Sequence, residues 1–183
     1  MKRVQSTNNI ALKLIKRKKL KPTLITSLAQ TNGRGTRGKK WVSQKGNLFI
    51  SIFFEINQKR INFKQYALLN AYLFQNIIKK LTNKKIVIKW PNDLMINKEK
   101  ICGILQEVVN VNTRTFLIVG VGINTNTAPL IKSYKATSLN SILKKKIYNY
   151  KVLNKIVEDY EKFIQQTKKY SFIELKKKFL KNK

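Results

Sequence analysis

Residues 30–41 read Gln30-Thr31-Asn32-Gly33-Arg34-Gly35-Thr36-Arg37-Gly38-Lys39-Lys40-Trp41 and contain three of the seven glycines of the chain. Glycine adopts backbone angles that other residues avoid and lets main-chain N–H groups approach a ligand closely. Bare amides beside four basic side chains form a concavity that suits a phosphate or a carboxylate. Because strand-like segments flank the stretch closely, we predict an anion-binding loop rather than a basic tail that touches nucleic-acid backbone. The loop alone does not name its ligand.

The segments around this loop alternate between helical and strand-like patterns. Ser6, Thr7 and Asn8 are good helix N-caps, and apolar residues follow them at helical spacing. A strand that is apolar nearly throughout follows the loop, so we predict that it is buried on both faces. The elements predicted for the first half of the chain are a helix, two strands and a long helix, at 8–19, 23–28, 47–56 and 63–81.

The second half predicts an antiparallel meander followed by helices. Pro91 stops a strand, Asn92-Asp93 turns the chain, and tight turns separate the strands that follow. Asp93 either caps this turn or binds a divalent cation, and the local sequence favours the cap. Glu107 is expected to form a salt bridge with one of the many lysines, and Cys102 to pack as a small core residue. The predicted strands are 86–90, 94–96, 100–109 and 115–121, with helical patterns at 152–164 and after a capping box at 171–174.

Composition narrows the class of protein. The chain has 183 residues, which is one domain or one domain with a small appendage, and 43% of them are hydrophobic. It has 39 Lys and Arg against 8 Asp and Glu, a formal net charge of +31, which guarantees attraction to polyanions at low salt. No histidine is present, so histidine catalysis and histidine metal sites are excluded. A single cysteine and the lack of a long apolar run predict a cytoplasmic protein without a membrane span.

Four segments carry a resemblance to a known family when they are taken in order. They are Ser6-Thr7-Asn8, Gln30-Thr31-x-Gly33-Arg34-Gly35-x-x-Gly38-x-x-Trp41, Lys89-Trp90-Pro91-Asn92-Asp93-Leu94 with Lys100-x-x-Gly103-Ile104-Leu105, and Gly120-x-Gly122-Ile123-Asn124. In this order and spacing the chain resembles biotin protein ligases, also called biotin–[acetyl-CoA carboxylase] ligases. The resemblance implies an α+β fold like that of class II aminoacyl-tRNA synthetases and biotin synthetases, with a mixed, largely antiparallel sheet and helices packed on it.

The resemblance also implies a two-step reaction and a set of site residues. Biotin and Mg-ATP would give biotinyl-5′-AMP, and the biotin would then pass to a lysine of the biotin carboxyl carrier protein of acetyl-CoA carboxylase. Arg34 and Lys100 are the expected catalytic residues, and Asp93 is the candidate ligand for Mg²⁺. The expected biotin-binding residues are Ser6, Thr7, Asn8, Gln30, Arg34, Gly35, Thr36 and Lys100. The expected ATP-binding residues are Arg37, Lys39, Trp41, Lys89, Asn92 and Asn124.

Further expectations concern the domain content of the protein, its partners and its alternative functions. We expect a single catalytic domain over residues 1–183, without an N-terminal helix-turn-helix domain or a C-terminal SH3-like domain. Specific DNA binding and a membrane are not expected, and a homodimer is possible. The alternatives are a non-catalytic basic protein that binds nucleic acid and a related ligase for lipoate or octanoate. Interleaved stacking aromatics would favour the first alternative, but most aromatic residues here are at positions predicted to face the core.

Overall fold

The structure, a computed structural model, describes residues 1–181 as a six-stranded antiparallel sheet with helices on both faces. In chain order the elements are α1 (Thr7–Lys16), β1 (Thr23–Ser27), β2 (Leu48–Ile56), α2 (Phe63–Thr82), β3 (Val87–Lys89), β4 (Asp93–Ile96), β5 (Glu99–Val111), β6 (Arg114–Ile123), α3 (Leu139–Leu143), α4 (Asn149–Lys169) and α5 (Phe172–Lys181). The strand order across the sheet is β1-β2-β6-β5-β4-β3, and each neighbouring pair is antiparallel. The predicted α+β class is confirmed.

Short turns explain why β4, β5 and β6 lie side by side in chain order. Asn97 and Lys98 both adopt positive φ angles, 50° and 66°, between β4 and β5. Asn112 has a φ of 55° between β5 and β6. Asparagine tolerates this left-handed conformation better than most residues, and two-residue turns of this kind favour antiparallel hairpins. The predicted meander is therefore confirmed.

The two faces of the sheet bury apolar side chains against different helices. On one face, α2, α4 and α5 cover the larger cluster, in which Phe54 meets the rings of Tyr66, Tyr160 and Phe163 edge-on. On the other face, α1 covers a smaller cluster that includes the fully buried Ile15. Burying one such aliphatic or aromatic side chain stabilises the fold by roughly 1.5–3 kcal/mol. Both faces are thus held by apolar burial, but α1 covers only part of its face.

Three glycines leave the rest of the α1 face bare. Gly120 and Gly122 are two residues apart on β6, so they point to one face, and Gly103 on β5 lies directly opposite Gly122. A methyl group added at Gly103 or Gly122 would run into the indole of Trp41, and one added at Gly120 would run into the side chain of Asn8. The glycines therefore form a floor that brings these two side chains close to the sheet. We call Gly103, Gly120 and Gly122 the glycine floor.

Most predicted elements have observed ends that differ by a few residues, and three differences concern the start of the chain, the loop 30–41 and an added helix. Helix α1 runs from Thr7 to Lys16 rather than over 8–19, because Lys18 already adopts a φ of 61°. A short helix, α3, lies at Leu139–Leu143 and was not predicted separately. Predicted loop 30–41 contains a short 3₁₀ turn at Thr36–Gly38. Within residues 1–181 no helix is long and apolar enough to cross a membrane.

Candidate active site

A cavity of about 970 Å³ lies where the loop 30–41, the start of α1 and the glycine floor meet. Its size is within the range of small-molecule sites. The sequence-predicted residues in its lining are Ser6, Thr7, Asn8, Gln30, Arg34, Gly35, Thr36, Arg37, Lys39, Trp41, Lys89, Asn92, Asp93 and Lys100. Residues that are up to 94 positions apart in the sequence are therefore brought to one cavity.

The loop 30–41 folds back on itself as a small hairpin. The Trp41 amide donates to the Gly33 carbonyl at 2.9 Å, and the Gly35 amide donates to the Lys39 carbonyl at 2.7 Å. The tip of the hairpin is formed by Arg37 and Gly38, with φ angles of 55° and 73°. Several amides that we predicted to be bare are thus used within the loop, because the hairpin satisfies them locally. The basic side chains Arg34, Arg37, Lys39 and Lys40 of the loop line the cavity and supply positive charge to it.

Trp41 closes the loop down onto the glycine floor. A methyl group at Gly103 would lie 2.5 Å from one carbon of its indole, well inside an ordinary carbon–carbon contact of about 3.5–4.0 Å. The indole nitrogen is buried and has no hydrogen-bond partner within residues 1–181. A buried donor without a partner is unfavourable, so the close packing of Trp41 on the glycine floor costs the indole one hydrogen bond.

A polar network joins the start of α1 to the loop. The Gln30 side-chain oxygen accepts hydrogen bonds from the Thr7 amide at 2.8 Å and from the Thr7 hydroxyl at 3.1 Å, and its nitrogen donates to Ser43 at 3.0 Å. Ser51, on β2, lies 2.8 Å from the Thr7 hydroxyl and 2.5 Å from the Asn8 amide oxygen. One hydroxyl proton serves one of these two acceptors at a time. Thr7, Asn8 and Ser51 are each no more than 3% exposed, so this part of the network is enclosed.

Arg34 is paired with Glu107 across the gap between the loop and β5. Its Nη2 lies 2.5 Å from Glu107 Oε2, and the side chains are 36% and 31% exposed. The Asn8 amide donates to the same oxygen at 2.7 Å. The Nε of Arg34 is buried without a partner within the described residues. The predicted salt bridge of Glu107 is confirmed, and its partner is an arginine of the loop rather than a lysine.

Lys100 is enclosed by one carboxylate and two aromatic rings. Its Nζ lies 2.7 Å from Asp93 Oδ1 and 5.2 Å and 5.0 Å from the ring centroids of Trp41 and Tyr134. These distances suit cation–π attraction as well as an ion pair. Burial, and then the Asp93 charge, raise the pKa of the Tyr134 phenol above its usual value of 10, so the phenol stays neutral. The cation is held in place while its side chain remains 13% exposed.

The remaining predicted residues differ in how directly they face the cavity. Arg37, Lys39 and Lys89 line it from exposed positions. Asn92 lines it while its amide donates to the Ile104 carbonyl at 3.1 Å. Asn124 is not among the lining residues: it is 1% exposed and its amide donates to the carbonyls of Lys100 and Thr137. It supports the start of β5, so the structure gives it no direct contact with the cavity.

The structure gives little support for a preformed metal site. No group of three or more His, Cys, Asp or Glu able to hold a metal occurs among the described residues. Asp93 is the one carboxylate in the lining of this cavity over residues 1–181, and it is paired with Lys100. Mg²⁺ keeps several waters and uses one or two carboxylates together with substrate phosphates. Asp93 fits only as a single ligand of a magnesium ion that arrives with a nucleotide.

Sequence reasoning missed two residues of the site and correctly left one out. Ser51 is the one polar residue between Leu48 and Phe54, a signal that was overlooked inside an apolar strand. Tyr134 lies in an irregular segment in which Ala136 pairs with Lys100, and this pairing brings the Tyr134 ring to the Lys100 ammonium. Cys102 is fully buried, and burial raises the pKa of its thiol far above the usual value. The prediction that Cys102 packs in the core is confirmed.

The fold and the cavity together define an α+β domain in which a basic loop lies over a glycine-lined patch of antiparallel sheet. A family model described as the Biotin/lipoate A/B protein ligase family matches residues 1–124. The chain therefore belongs to the biotin/lipoate A/B protein ligase family, and the resemblance found from the motifs is confirmed.

Individual relatives show the same likeness over most of the chain. The "Bifunctional ligase/repressor BirA" of Bacillus subtilis is 31% identical over 180 residues, which are 94% of this chain and 55% of the relative. The "Biotin--[acetyl-CoA-carboxylase] ligase" of Paracoccus denitrificans is 30% identical over 135 residues, 69% of this chain and 54% of the relative. A solved structure, "Biotin protein ligase from Aquifex aeolicus in complex with biotin and ATP", has a TM-score of 0.80 and 31% identity, covering 98% of this chain and 75% of that one. The chain spans 31% to 55% of the lengths of the curated relatives it matches.

Proposed function

We propose that this protein joins biotin to ATP, giving biotinyl-5′-AMP, and then transfers the biotin to a lysine of a carboxylase carrier domain. The observation that carries the proposal is the placement of Arg34 and Lys100 in the lining of one cavity, which the glycine floor also lines. The names and bound ligands of the relatives support the choice of biotin and ATP. The name of the Paracoccus relative supports a carrier of acetyl-CoA carboxylase as the acceptor.

Two anions have to be brought together in the first step. The biotin carboxylate attacks the α-phosphorus of ATP, an acyl–phosphate bond forms, and pyrophosphate leaves with the electrons of the broken P–O bond. Arg34 and Lys100 would neutralise the carboxylate and the charge that develops on the α-phosphate. Positioning and electrostatics are sufficient for this step, so neither a histidine nor an enzyme nucleophile is needed.

The second step transfers the acyl group. The neutral amine of the carrier lysine attacks the acyl carbon of the adenylate, an amide forms, and AMP leaves as the amine loses a proton. The loop 30–41, held on the sheet by Trp41, would shield the adenylate from water until the carrier arrives.

The two ends of the cavity fit different parts of the ligands. Ser6, Thr7 and Gln30 lie at the enclosed polar end, which suits the ureido ring of biotin because that ring both donates and accepts hydrogen bonds. The exposed end suits a nucleotide: Arg37, Lys39 and Lys89 supply charge for its phosphates. The other residues that we assign to the biotin side are Asn8, Gly35 and Thr36, and those on the ATP side are Trp41 and Asn92. Asn124 would act only through the backbone that it supports.

Magnesium would enter with the ATP phosphates, where it neutralises part of their charge. We assign Asp93 as a ligand of this magnesium ion. The same carboxylate also forms the ion pair with Lys100. The extent of the domain over residues 1–183, a homodimer and a cytoplasmic location stay predictions.

The experiment that tests the function is adenylate formation with three acids. The protein is incubated with ATP labelled in the α-phosphate and with biotin, lipoate or octanoate, and the acyl-adenylate is separated by thin-layer chromatography. We expect an adenylate with biotin, and at least about tenfold less with the other two acids. Formation of an adenylate with lipoate or octanoate, but not with biotin, would favour the alternative of a lipoate or octanoate ligase. No adenylate with any acid, together with polyanion binding that disappears at raised salt, would favour the nucleic-acid-binding alternative.

A further inference from the structure

Glu107, on β5, contacts two separate segments of the site, the loop 30–41 and the start of α1. Glu107 and Gly103 are four residues apart on β5, so both point to the face that carries the loop. One oxygen of its carboxylate, Oε2, accepts from Arg34 at 2.5 Å and from Asn8 at 2.7 Å. Arg34 belongs to the loop 30–41 and Asn8 to the first turn of α1. A single carboxylate therefore ties both segments to the central part of the sheet.

The pairing is more than one of many surface contacts in a basic protein. The chain has only eight acidic residues for 39 basic ones, so most cations have no carboxylate available to them. One of these eight acidic residues, Glu107, forms an ion pair with Arg34. Asn8 is 3% exposed, and a charged acceptor strengthens a hydrogen bond to a buried donor. Arg34 and Glu107 are each about one third exposed, so solvent weakens the ion pair itself.

We propose that Glu107 is a positioning residue for the loop 30–41. It holds Arg34 against the sheet and orients Asn8, so the loop is closed and the arginine is in place before any ligand binds. Because a ligand carboxylate or phosphate then meets an ordered guanidinium, less conformational entropy is lost on binding. The inference rests on the proposed function only where ligand binding is measured, since exchange of the loop amides is measured without a ligand.

A second ion pair in the same sheet offers a matched control. Arg114 and Glu55 also approach to 2.5 Å, and their side chains are 40% and 44% exposed. Arg114 lies on β6, and Glu55 lies on β2 opposite Phe116 of β6. Neither Arg114 nor Glu55 lines the cavity. A general effect of removing one negative charge from this basic protein should therefore occur equally in Glu55→Gln.

The test is hydrogen exchange of the loop amides in the ligand-free, full-length protein. Glutamine at position 107 keeps the shape and an acceptor oxygen but removes the charge. Peptides covering residues 30–41 should exchange about three- to tenfold faster in Glu107→Gln than in the wild type, and at the wild-type rate in Glu55→Gln. In an Arg34→Ala background, Glu107→Gln should add little further acceleration, because the tether is already lost.

Two results would overturn the proposal. One is exchange of residues 30–41 in Glu107→Gln that equals exchange in Glu55→Gln. The other is an equal acceleration by Glu107→Gln in the presence and the absence of Arg34. If Glu107→Gln does not fold, Glu107→Asp, which keeps the charge but shortens the reach, is compared with Glu55→Asp by the same criteria.

Adenylation kinetics provide the second measurement. A positioning role predicts that Glu107→Gln raises the KM for biotin about three- to tenfold and changes kcat less than about twofold, with Glu55→Gln unchanged. A fall in kcat with an unchanged KM would contradict it. If the wild-type protein forms no adenylate at all, the proposed function fails, whereas the exchange experiment still decides the role of Glu107 by itself.

Discussion

Adding a single methyl group to the glycine floor should show whether the close approach of Trp41 matters for activity. In Gly103→Ala the new Cβ would lie 2.5 Å from indole Cζ3, 3.2 Å from Cε3 and 3.3 Å from Cη2. An ordinary carbon–carbon contact is about 3.5–4.0 Å, so the ring has to move away by about 1 Å. Gly103 has no positive φ that alanine would strain. The effect is therefore steric, and it acts on Trp41 and on the loop that carries it.

The expected effect on activity is larger than the effect on stability. Trp41 is only half-buried and lies on a loop, so the loop can yield, and we expect a loss of about 1 kcal/mol, at the low end for overpacking. For a protein of this size that lowers Tm by roughly 2–4 °C. A displacement of about 1 Å in a catalytic site can lower the rate by about a hundredfold. We therefore expect kcat/KM for adenylation to fall by about ten- to a hundredfold.

The assay is pyrophosphate release with biotin and ATP, accompanied by thermal unfolding. Trp41→Phe in the Gly103→Ala background is the matched control, because a phenyl ring lacks the outer part of the indole that the methyl group meets. The double variant should be more active than the product of the two single effects predicts. Wild-type kinetics in Gly103→Ala, or purely multiplicative effects in the double variant, would refute the steric reasoning.

Three other changes test separate parts of the structure. Lys100→Ala should lower the adenylation rate by at least about a hundredfold, because the removed cation faces developing charge, while far-UV circular dichroism stays unchanged; near wild-type rates would exclude a catalytic role. Phe54→Ala, which removes a ring that packs against three others, should lower the free energy of unfolding by about 3–5 kcal/mol in urea titration, and a change below 1 kcal/mol would contradict the packing described. Because burial raises the pKa of the Cys102 thiol above its ordinary 9.0, the native thiol stays protonated at pH 8–9 and its reaction with a disulfide reagent should follow unfolding. Stability linked to this thiol is full below pH 9 and is lost as the pH rises above 9; rapid reaction of the folded protein at pH 8 would show that the thiol is accessible.

Regular elements were predictable because local chemistry decides them here. The apolar spacing of α1, the apolar strand β2 and the turns at Asn97 and Asn112 each have a local cause in the sequence. The predicted side-chain cap of α1 is wrong, because Ser6 at the N-cap position makes no capping hydrogen bond. The ends of α1 were less predictable, because the residue at which a helix frays depends on what packs beyond it. The family motifs then supplied the topology, which local patterns do not contain.

Site residues were predictable as a set, but their pairings were not. The order of the motifs identified Arg34, Lys100 and Asp93 as candidate site residues, and all three line one cavity in the structure. The pairing of Arg34 with Glu107 depends on strand register, and the position of Tyr134 beside Lys100 depends on an irregular segment. Neither contact can be predicted from the spacing of residues in the sequence. Asn124 illustrates the opposite case: its motif is present, but its amide is used by the backbone around it.

Transfer of biotin to a carrier domain is the decisive test of the proposed ligase activity. The protein is mixed with a purified biotin carboxyl carrier domain, biotin and Mg-ATP, and the carrier is weighed by mass spectrometry, with Arg34→Ala, Lys100→Ala and the carrier without its target lysine as controls. We expect a mass increase of one biotinyl group that requires ATP and the target lysine and is lost in both variants. An unmodified carrier with the wild-type protein, or equal labelling by the Arg34→Ala and Lys100→Ala variants, would contradict it.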